Sequence, residues 1–238
     1  MLARWLATSC ASVANLQDNP MQNKPLPKTQ PSGWFKISGV QDGMFPLDRQ
    51  MRGLDVVREA AAGATLLDLG CAEGMVSLEM VKSGARLVHG VELLGDRLVV
   101  AEKIYGEQFP DLERQFIQWD LDQFENLYLD ATPDTPRDGK FLKTRYDVVL
   151  CLAIAQKLSK PARFLRMASA LCSNIMAVRL PYPIIDDKRS FHIPVNVTRM
   201  LSTEFELIQE TEGYPSDLKR PYQPGDLAWL GLFRRISR

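Results

Sequence analysis

The chain has 238 residues, 45% of them apolar and 24% charged, which is enough material for a full hydrophobic core. Its 29 basic and 29 acidic residues cancel, so no overall field attracts nucleic acid or a membrane. The four cysteines are widely spaced and include no C-x-x-C pair, which argues against a metal site or a disulfide framework and favours a cytoplasmic protein. No apolar run approaches the roughly 18 residues of a membrane-spanning helix.

Residues 1–33 have the composition of a flexible extension. Prolines recur there among Gln, Asn and Lys, and the apolar start is too short, and too soon broken by Arg4, for a secretory leader. We therefore expect the folded domain at residues 34–238.

Strand and helix patterns alternate through that domain. A short strand or ordered arm is predicted at 34–40, and a helix at 56–62 ends at Gly63. Seven further strands are predicted at 65–69, 86–92, 114–120, 147–152, 175–180, 205–210 and 226–234. Helices are predicted at 75–82, 96–105, 162–171 and 196–201.

This alternation predicts an α/β fold of three layers, α/β/α, with a doubly wound, mainly parallel seven-stranded sheet. The last two strands are close enough in sequence to form an antiparallel edge hairpin. Two proline-containing stretches, 126–145 and 181–194, interrupt the pattern as insertions and are candidate substrate lids.

The first strand of the repeating pattern runs into a glycine turn and then a helix. Such a turn brings backbone N–H groups and a helix N-terminus against a cofactor. Its order is D-x-G-x-A-x-G, which differs from the G-x-G-x-x-G of nicotinamide and flavin binders. The turn consists of Asp68, Gly70, Cys71, Ala72, Glu73 and Gly74 with Leu69 between the first two.

This motif resembles motif I of the class I S-adenosylmethionine-dependent methyltransferases. The resemblance implies S-adenosylmethionine as cofactor and S-adenosylhomocysteine as product. Asp68 would meet the cofactor's ammonium, Glu92 at the end of the second strand would accept both ribose hydroxyls, and Asp120 at the end of the third would accept from adenine N6. Leu93 and Leu121 follow those two acids and, with Trp119, are candidates to pack beside the cofactor.

Two residues of the turn depart from the family pattern. Ala72 stands where many members have glycine, and we expect it there only with a negative φ. Glu73 adds a carboxylate that can help to hold the ammonium, although we expect it to be exposed to solvent. Upstream, Arg49, Gln50 and Arg52 are candidates to reach the cofactor's carboxylate.

Two more local likenesses bear on the acceptor. Residues 67–74, Gly84-Ala85 and His89-Gly-Val-Glu92 are together similar to a set of small bacterial methyltransferases of mostly unassigned substrate. The surroundings of Trp34 and Asp48-Arg49 are distantly similar to a group that modifies the wobble uridine of tRNA. The Asn/Asp-Pro-Pro-Tyr/Phe motif of amino-group methyltransferases is missing after the fourth strand. Cys151 has no preceding proline, so we expect a buried strand residue rather than a nucleophile.

Two residues are candidates to act on the acceptor. Gln156 can orient it by hydrogen bonds, and His192 is the only histidine placed to act as a base, since His89 lies inside a strand. We also ask whether basic residues near the fourth strand converge on the mouth of the site, as a phosphorylated or nucleic-acid acceptor would require: Arg137, Lys140, Lys143, Arg145, Lys157, Lys160 and Arg163.

The predicted activity is methyl transfer from S-adenosylmethionine to an acceptor that the sequence does not identify. A small molecule is the first choice, with RNA of the tRNA type as the alternative. A non-catalytic S-adenosylmethionine-binding protein and a nicotinamide-dependent dehydrogenase are the rival readings.

Overall fold

A computed structural model describes residues 33–125, 145–181, 194–212 and 227–237. Residues 1–32 and nearly all of both predicted insertions lie outside these ranges, and His192 lies outside them too.

The described residues begin with two short strands and two short helices, β1 (Gly33–Phe35), β2 (Gly43–Phe45), α1 (Leu47–Met51) and α2 (Asp55–Ala60). The alternating part follows as β3 (Thr65–Leu69), α3 (Met75–Lys82), β4 (Leu87–Glu92), α4 (Gly95–Gln108), β5 (Glu113–Gln118), β6 (Tyr146–Leu152), α5 (Pro161–Leu171) and β7 (Cys172–Pro181). The last described elements are α6 (Pro194–Leu201), β8 (Phe205–Glu212) and β9 (Leu227–Arg235). Single 3-10 turns lie at Leu121–Gln123 and Ala155–Lys157.

Seven strands form one sheet in the order β5-β4-β3-β6-β7-β9-β8. Neighbouring strands from β5 to β7 are parallel, whereas β9 runs antiparallel to both β7 and β8. The predicted fold class, with its antiparallel edge hairpin, is therefore confirmed. Because β4, β3 and β6 are parallel neighbours, the loops that follow them meet at one edge of the sheet, where doubly wound folds bind ligands.

Helices cover both faces of the sheet, because the side chains of each buried strand alternate between two apolar clusters. In β3, Leu67 and Leu69 join the cluster that contains side chains from α5 and α6. Leu66 joins the opposite cluster, with side chains from α2, α3 and α4. All five residues of β3 are buried, as expected for the central strand of a three-layer fold.

The segment before β3 differs most from the prediction. The strand expected at 34–40 ends at Phe35, because the chain turns back at Gly39, where φ is +73°, and Ile37 pairs with Gln41. β2 and α1 were not predicted; β2 pairs with β1, with Phe35 opposite Phe45. We call residues 33–45 the N-terminal arm.

Among the described residues, no helix has both the length and the apolar composition needed to cross a membrane.

Candidate cofactor site

The turn after β3 requires its two glycines. Gly70 has φ +84° and Gly74 has φ +68°, a backbone conformation that residues other than glycine seldom adopt. A Cβ on Gly70 would lie 2.9 Å from Ile154 Cγ1, so the turn after β6 packs directly on this one. The N–H groups of Gly70 and Cys71 donate to the carbonyl of Val91, which ties the turn to β4.

Ala72 is buried in the same turn with φ +50°, so the expectation of a negative φ is wrong. Its backbone N–H donates to Glu92 Oε2 over 3.0 Å. This bond to a buried carboxylate offsets the strain of a left-handed alanine. The turn thus keeps its shape without the glycine that many family members have at this position.

Asp68 is buried at the end of β3. Burial raises the pKa of its carboxyl group from an ordinary value of 3.8 to about 7; a hydrogen bond with the Ser77 side chain opposes this shift, and the nearby charge of Glu92 adds to it. Asp68 forms no ion pair among the described residues. A carboxyl group held in this way is matched to a cationic ligand, which would restore its charge.

Glu92 is the last residue of β4 and is also buried. Its Oε2 accepts from Ala72, and its Oε1 accepts from the backbone N–H of Leu94 over 3.2 Å. Arg97 Nη1 lies 3.7 Å from Oε1. The next residue, Leu93, is 54% exposed although it is apolar, so it offers an uncovered surface beside the acid.

Glu73 was expected at the surface, but it is completely buried. Its Oε1 accepts from the N–H of Trp34 over 2.7 Å, and its Oε2 accepts from the N–H of Phe35 over 3.1 Å. Arg97 Nε lies 3.8 Å from Oε1. The expectation failed because the partners of Glu73 come from the N-terminal arm, which local sequence around the turn does not reveal. The neighbouring Cys71 is buried too, and burial raises the pKa of its thiol.

Asp120 lies two residues beyond the end of β5 rather than in the strand. Its Oδ1 accepts from the N–H of Asp122 over 3.0 Å and so caps the 3-10 turn that follows. Leu121 is buried in the core, and Trp119 Nε1 donates to the carbonyl of Gln123. Trp119 N–H also donates to the carbonyl of Glu92, which holds the two strand ends together.

The turn after β6 carries the described acceptor candidate. Gln156 lies in a 3-10 turn, where its Nε2 donates to the carbonyl of Ala153 over 2.6 Å. Its Oε1 is buried without a partner among the described residues. Cys151 is fully buried in β6, and His89 is buried in β4 with its Nδ1 2.6 Å from the Tyr146 hydroxyl, as expected for structural residues.

Of the basic residues considered for an acceptor site, Arg163 pairs with Glu125. Lys157 instead lies with its ammonium 4.5 Å from the centre of the Trp34 ring. The Lys157 residue as a whole is exposed, but its ammonium has lost part of its hydration, and this lowers the pKa of Lys157. The negative charge of Glu92 opposes the shift, and the positive charge of Arg97 adds to it. Arg137, Lys140 and Lys143 lie outside the described residues.

A buried cation behind the site was not predicted. Arg179 in β7 is 1% exposed and donates to the carbonyls of Gln50 and Arg52, at the end of α1. Burial lowers the pKa of Arg179 to about 10. Gln50 itself is buried, and its Nε2 has no partner among the described residues. The available signal was a lone arginine in the apolar run Met176-Ala-Val-Arg-Leu180.

No protein-family model and no curated protein matches this sequence. Solved structures do match its fold. One is magnesium protoporphyrin IX methyltransferase from Synechocystis PCC 6803 with bound S-adenosylmethionine, at 17% identity over 82% of this chain and 87% of that one, with a TM-score of 0.56. Another is a putative RNA methyltransferase from Pyrococcus horikoshii, at 16% identity over 80% and 85% of the two chains, with a TM-score of 0.51.

A third solved structure is a 4+2 cyclase, at 16% identity over 85% of each chain, with a TM-score of 0.53. These likenesses show that the chain has the class I S-adenosylmethionine-dependent methyltransferase fold. They agree with the resemblance that the glycine turn predicted. Because the fold carries more than one activity, the function has to be argued from the site.

Proposed function

We propose that this protein is an S-adenosylmethionine-dependent methyltransferase. The observation that carries the proposal is the buried Asp68 beside the turn of Gly70 to Gly74, with the carboxylate of Glu92 bonded to the same turn. Two buried acids around a glycine turn suit a ligand with an ammonium group and a pair of hydroxyls.

The described residues fit that cofactor. Asp68 would bind the ammonium, because it is a buried acid without an ion-pair partner among the described residues. Glu92 would accept the ribose hydroxyls through the lone pairs that Ala72 and Leu94 leave free. The exposed face of Leu93 would be covered by the adenine ring, and Asp120 would accept from adenine N6.

The other end of the cofactor fits less completely. Gln50 offers a buried amide without a partner, a suitable donor for the carboxylate. Gly70, Cys71, Ala72, Glu73 and Gly74 would contribute through the shape of the turn, since both oxygens of Glu73 already accept hydrogen bonds from the arm. When bound, the cofactor supplies a methyl group on a sulfonium centre, and the neutral thioether that remains after transfer is a good leaving group.

The chain's own part in the reaction is positioning. Methyl transfer needs in-line alignment more than proton transfer, so the lack of a described base at the turn after β6 does not argue against it. Gln156, with a free Oε1, would orient the acceptor. His192 stays a candidate base that lies outside the described residues.

We propose a small-molecule acceptor, because the net charge is zero and the two described cations beside the site, Arg97 and Lys157, already contact the Trp34 ring. RNA is the second candidate, favoured by the likeness to a putative RNA methyltransferase fold. A cofactor-binding protein without catalysis is the rival from another class.

The test is transfer of label from methyl-tritiated S-adenosylmethionine. The protein would be incubated with the small-molecule fraction and, separately, with the RNA fraction of a cell extract. We expect label in a compound of the first fraction, and none with an Asp68→Ala control that is shown to be folded. Label in RNA alone would establish the second candidate, and binding without transfer to either fraction would favour the non-catalytic protein.

A further inference from the structure

The N-terminal arm is fastened to the glycine turn. Glu73, in the turn, accepts the backbone N–H groups of both Trp34 and Phe35, and its carboxylate is completely buried. Charge-assisted bonds to a buried carboxylate are among the stronger hydrogen bonds in proteins. The arm and the turn are therefore one mechanical unit, although 38 residues separate Phe35 from Glu73.

The Trp34 side chain has neighbours on both sides of the cleft, the edge of the sheet where the loops after β4, β3 and β6 meet. Its ring centre lies 5.7 Å from the Arg97 guanidinium carbon, on α4 beyond β4, and 4.5 Å from Lys157 Nζ, in the turn beyond β6. Since β3 lies between β4 and β6, the indole lies across the edge of the sheet where the glycine turn begins.

Trp34 is also close to the proposed ribose-binding acid. Arg97 Nη1 is 3.7 Å from Glu92 Oε1, and the charge of Glu92 acts on Lys157. Both cations that the indole contacts thus belong to the surroundings of Glu92.

We propose that Trp34 is a cofactor-covering residue. The arm lays its indole over the cleft and Glu73 holds it there, so that the ring contacts the bound cofactor. The chain therefore binds its cofactor with a residue that lies outside the glycine-turn motif and precedes it by 34 positions, counting from Trp34 to Asp68.

The proposal rests on the proposed function, since it takes the adenosyl ligand to occupy this cleft. It adds that binding energy comes from the arm. A partly buried indole offers apolar area and cation–π attraction. In this structure its cationic neighbours use them, and a bound ligand can use them in turn.

The test is calorimetric titration with S-adenosylhomocysteine, which cannot be turned over. The wild type would be compared with Trp34→Ala, Trp34→Phe and Val40→Ala, the last a control at a 47% exposed position of the same arm. We expect Trp34→Ala to weaken binding about tenfold, as for the loss of one aromatic contact, with Trp34→Phe between it and the wild type and Val40→Ala unchanged.

Two further readouts separate covering from a purely structural role. Urea unfolding should show that Trp34→Ala is folded under the titration conditions, although somewhat less stable than Val40→Ala, because the indole is partly buried and its ring centre lies 4.7 Å from that of Phe45. The tryptophan emission of the wild type should change on binding, and that change should be smaller in Trp34→Phe, which keeps Trp119 beside the site.

Equal affinity of the wild type and a folded Trp34→Ala, or an emission change in Trp34→Phe as large as that of the wild type, would overturn the proposal. If the wild type itself does not bind the ligand, the proposed function fails instead. If Trp34→Ala does not fold, the Trp34→Phe affinity and emission decide the question.

Discussion

Asp68→Asn should change stability and ligand binding in opposite directions. Asp68 is 3% exposed, and burial raises its pKa to about 7. An acid with a folded pKa above its unfolded value binds its proton more tightly in the native state. The wild type should therefore lose stability as the pH rises from about 4 to about 7 and level off above that window. The pKa difference corresponds to at most about 4 kcal/mol.

Asparagine cannot ionise, so the stability of the variant should not fall as the pH rises through this window. The free energy needed to bury the asparagine amide offsets part of this difference in stability. We expect a net stabilisation of the variant of about 1–3 kcal/mol above pH 7. Binding should fall, because the ammonium loses a charged partner. The expected loss of affinity for S-adenosylhomocysteine is about 1–3 kcal/mol, or roughly 5- to 150-fold.

The pH dependence of binding gives a second signature. In the wild type, affinity should rise about tenfold per pH unit up to about pH 7, as Asp68 ionises, and fall again at alkaline pH, where the ligand's α-amino group loses its proton. Asp68→Asn should keep only the alkaline limb. Calorimetry in buffers of different ionisation enthalpy would also show the proton that the wild type releases below about pH 7.

The assays are urea unfolding and calorimetric titration across this pH range. Asp55→Asn, at an 82% exposed side chain on α2, is the matched control and should behave as the wild type. The reasoning is refuted if Asp68→Asn is less stable than the wild type above pH 7 and binds the ligand equally well, since Asp68 would then be a structural residue.

Four other substitutions test the geometry of the site. Ala72→Gly should raise the unfolding free energy by about 0.5–1 kcal/mol by relieving a left-handed φ, and Ala153→Gly, at φ +55°, should do the same; a loss at both positions in urea unfolding would contradict these conformations. Gly90→Ala should destabilise by about 1–3 kcal/mol, because its Cβ would lie 2.6 Å from Phe116 Cδ1; unfolding at the wild-type denaturant midpoint would disprove this packing. Glu92→Gln should weaken S-adenosylhomocysteine binding by about 1–3 kcal/mol in calorimetry, and unchanged affinity would remove Glu92 from the site.

The repeating part of the fold could be predicted because its signals are local. The bounds of β3 and α3 agree with the prediction to the residue, since an all-buried strand, two glycines and a helix follow one another without interruption. Strand β7 is longer than predicted because it starts at Cys172, directly after α5, with no polar turn to mark the boundary. Edges of this kind are hard to see in an apolar sequence.

The candidate site could be predicted only for residues whose position can be recognised from the sequence directly around them. Asp68 is the last residue but one of β3 and Glu92 is the last residue of β4, and both are recognisable there. Glu73 was misjudged because its partners, Trp34 and Phe35, come from a distant segment. Arg179 was missed for the same reason, since its acceptors are carbonyls of α1 and not charged side chains.

The most direct test of the central claim is calorimetric titration of the wild-type protein with S-adenosylmethionine, S-adenosylhomocysteine and NAD. The account predicts that both adenosyl ligands bind at one site per chain with micromolar affinity, and that NAD does not bind. Binding of NAD alone, or of none of the three, would contradict the assignment of this cleft to S-adenosylmethionine.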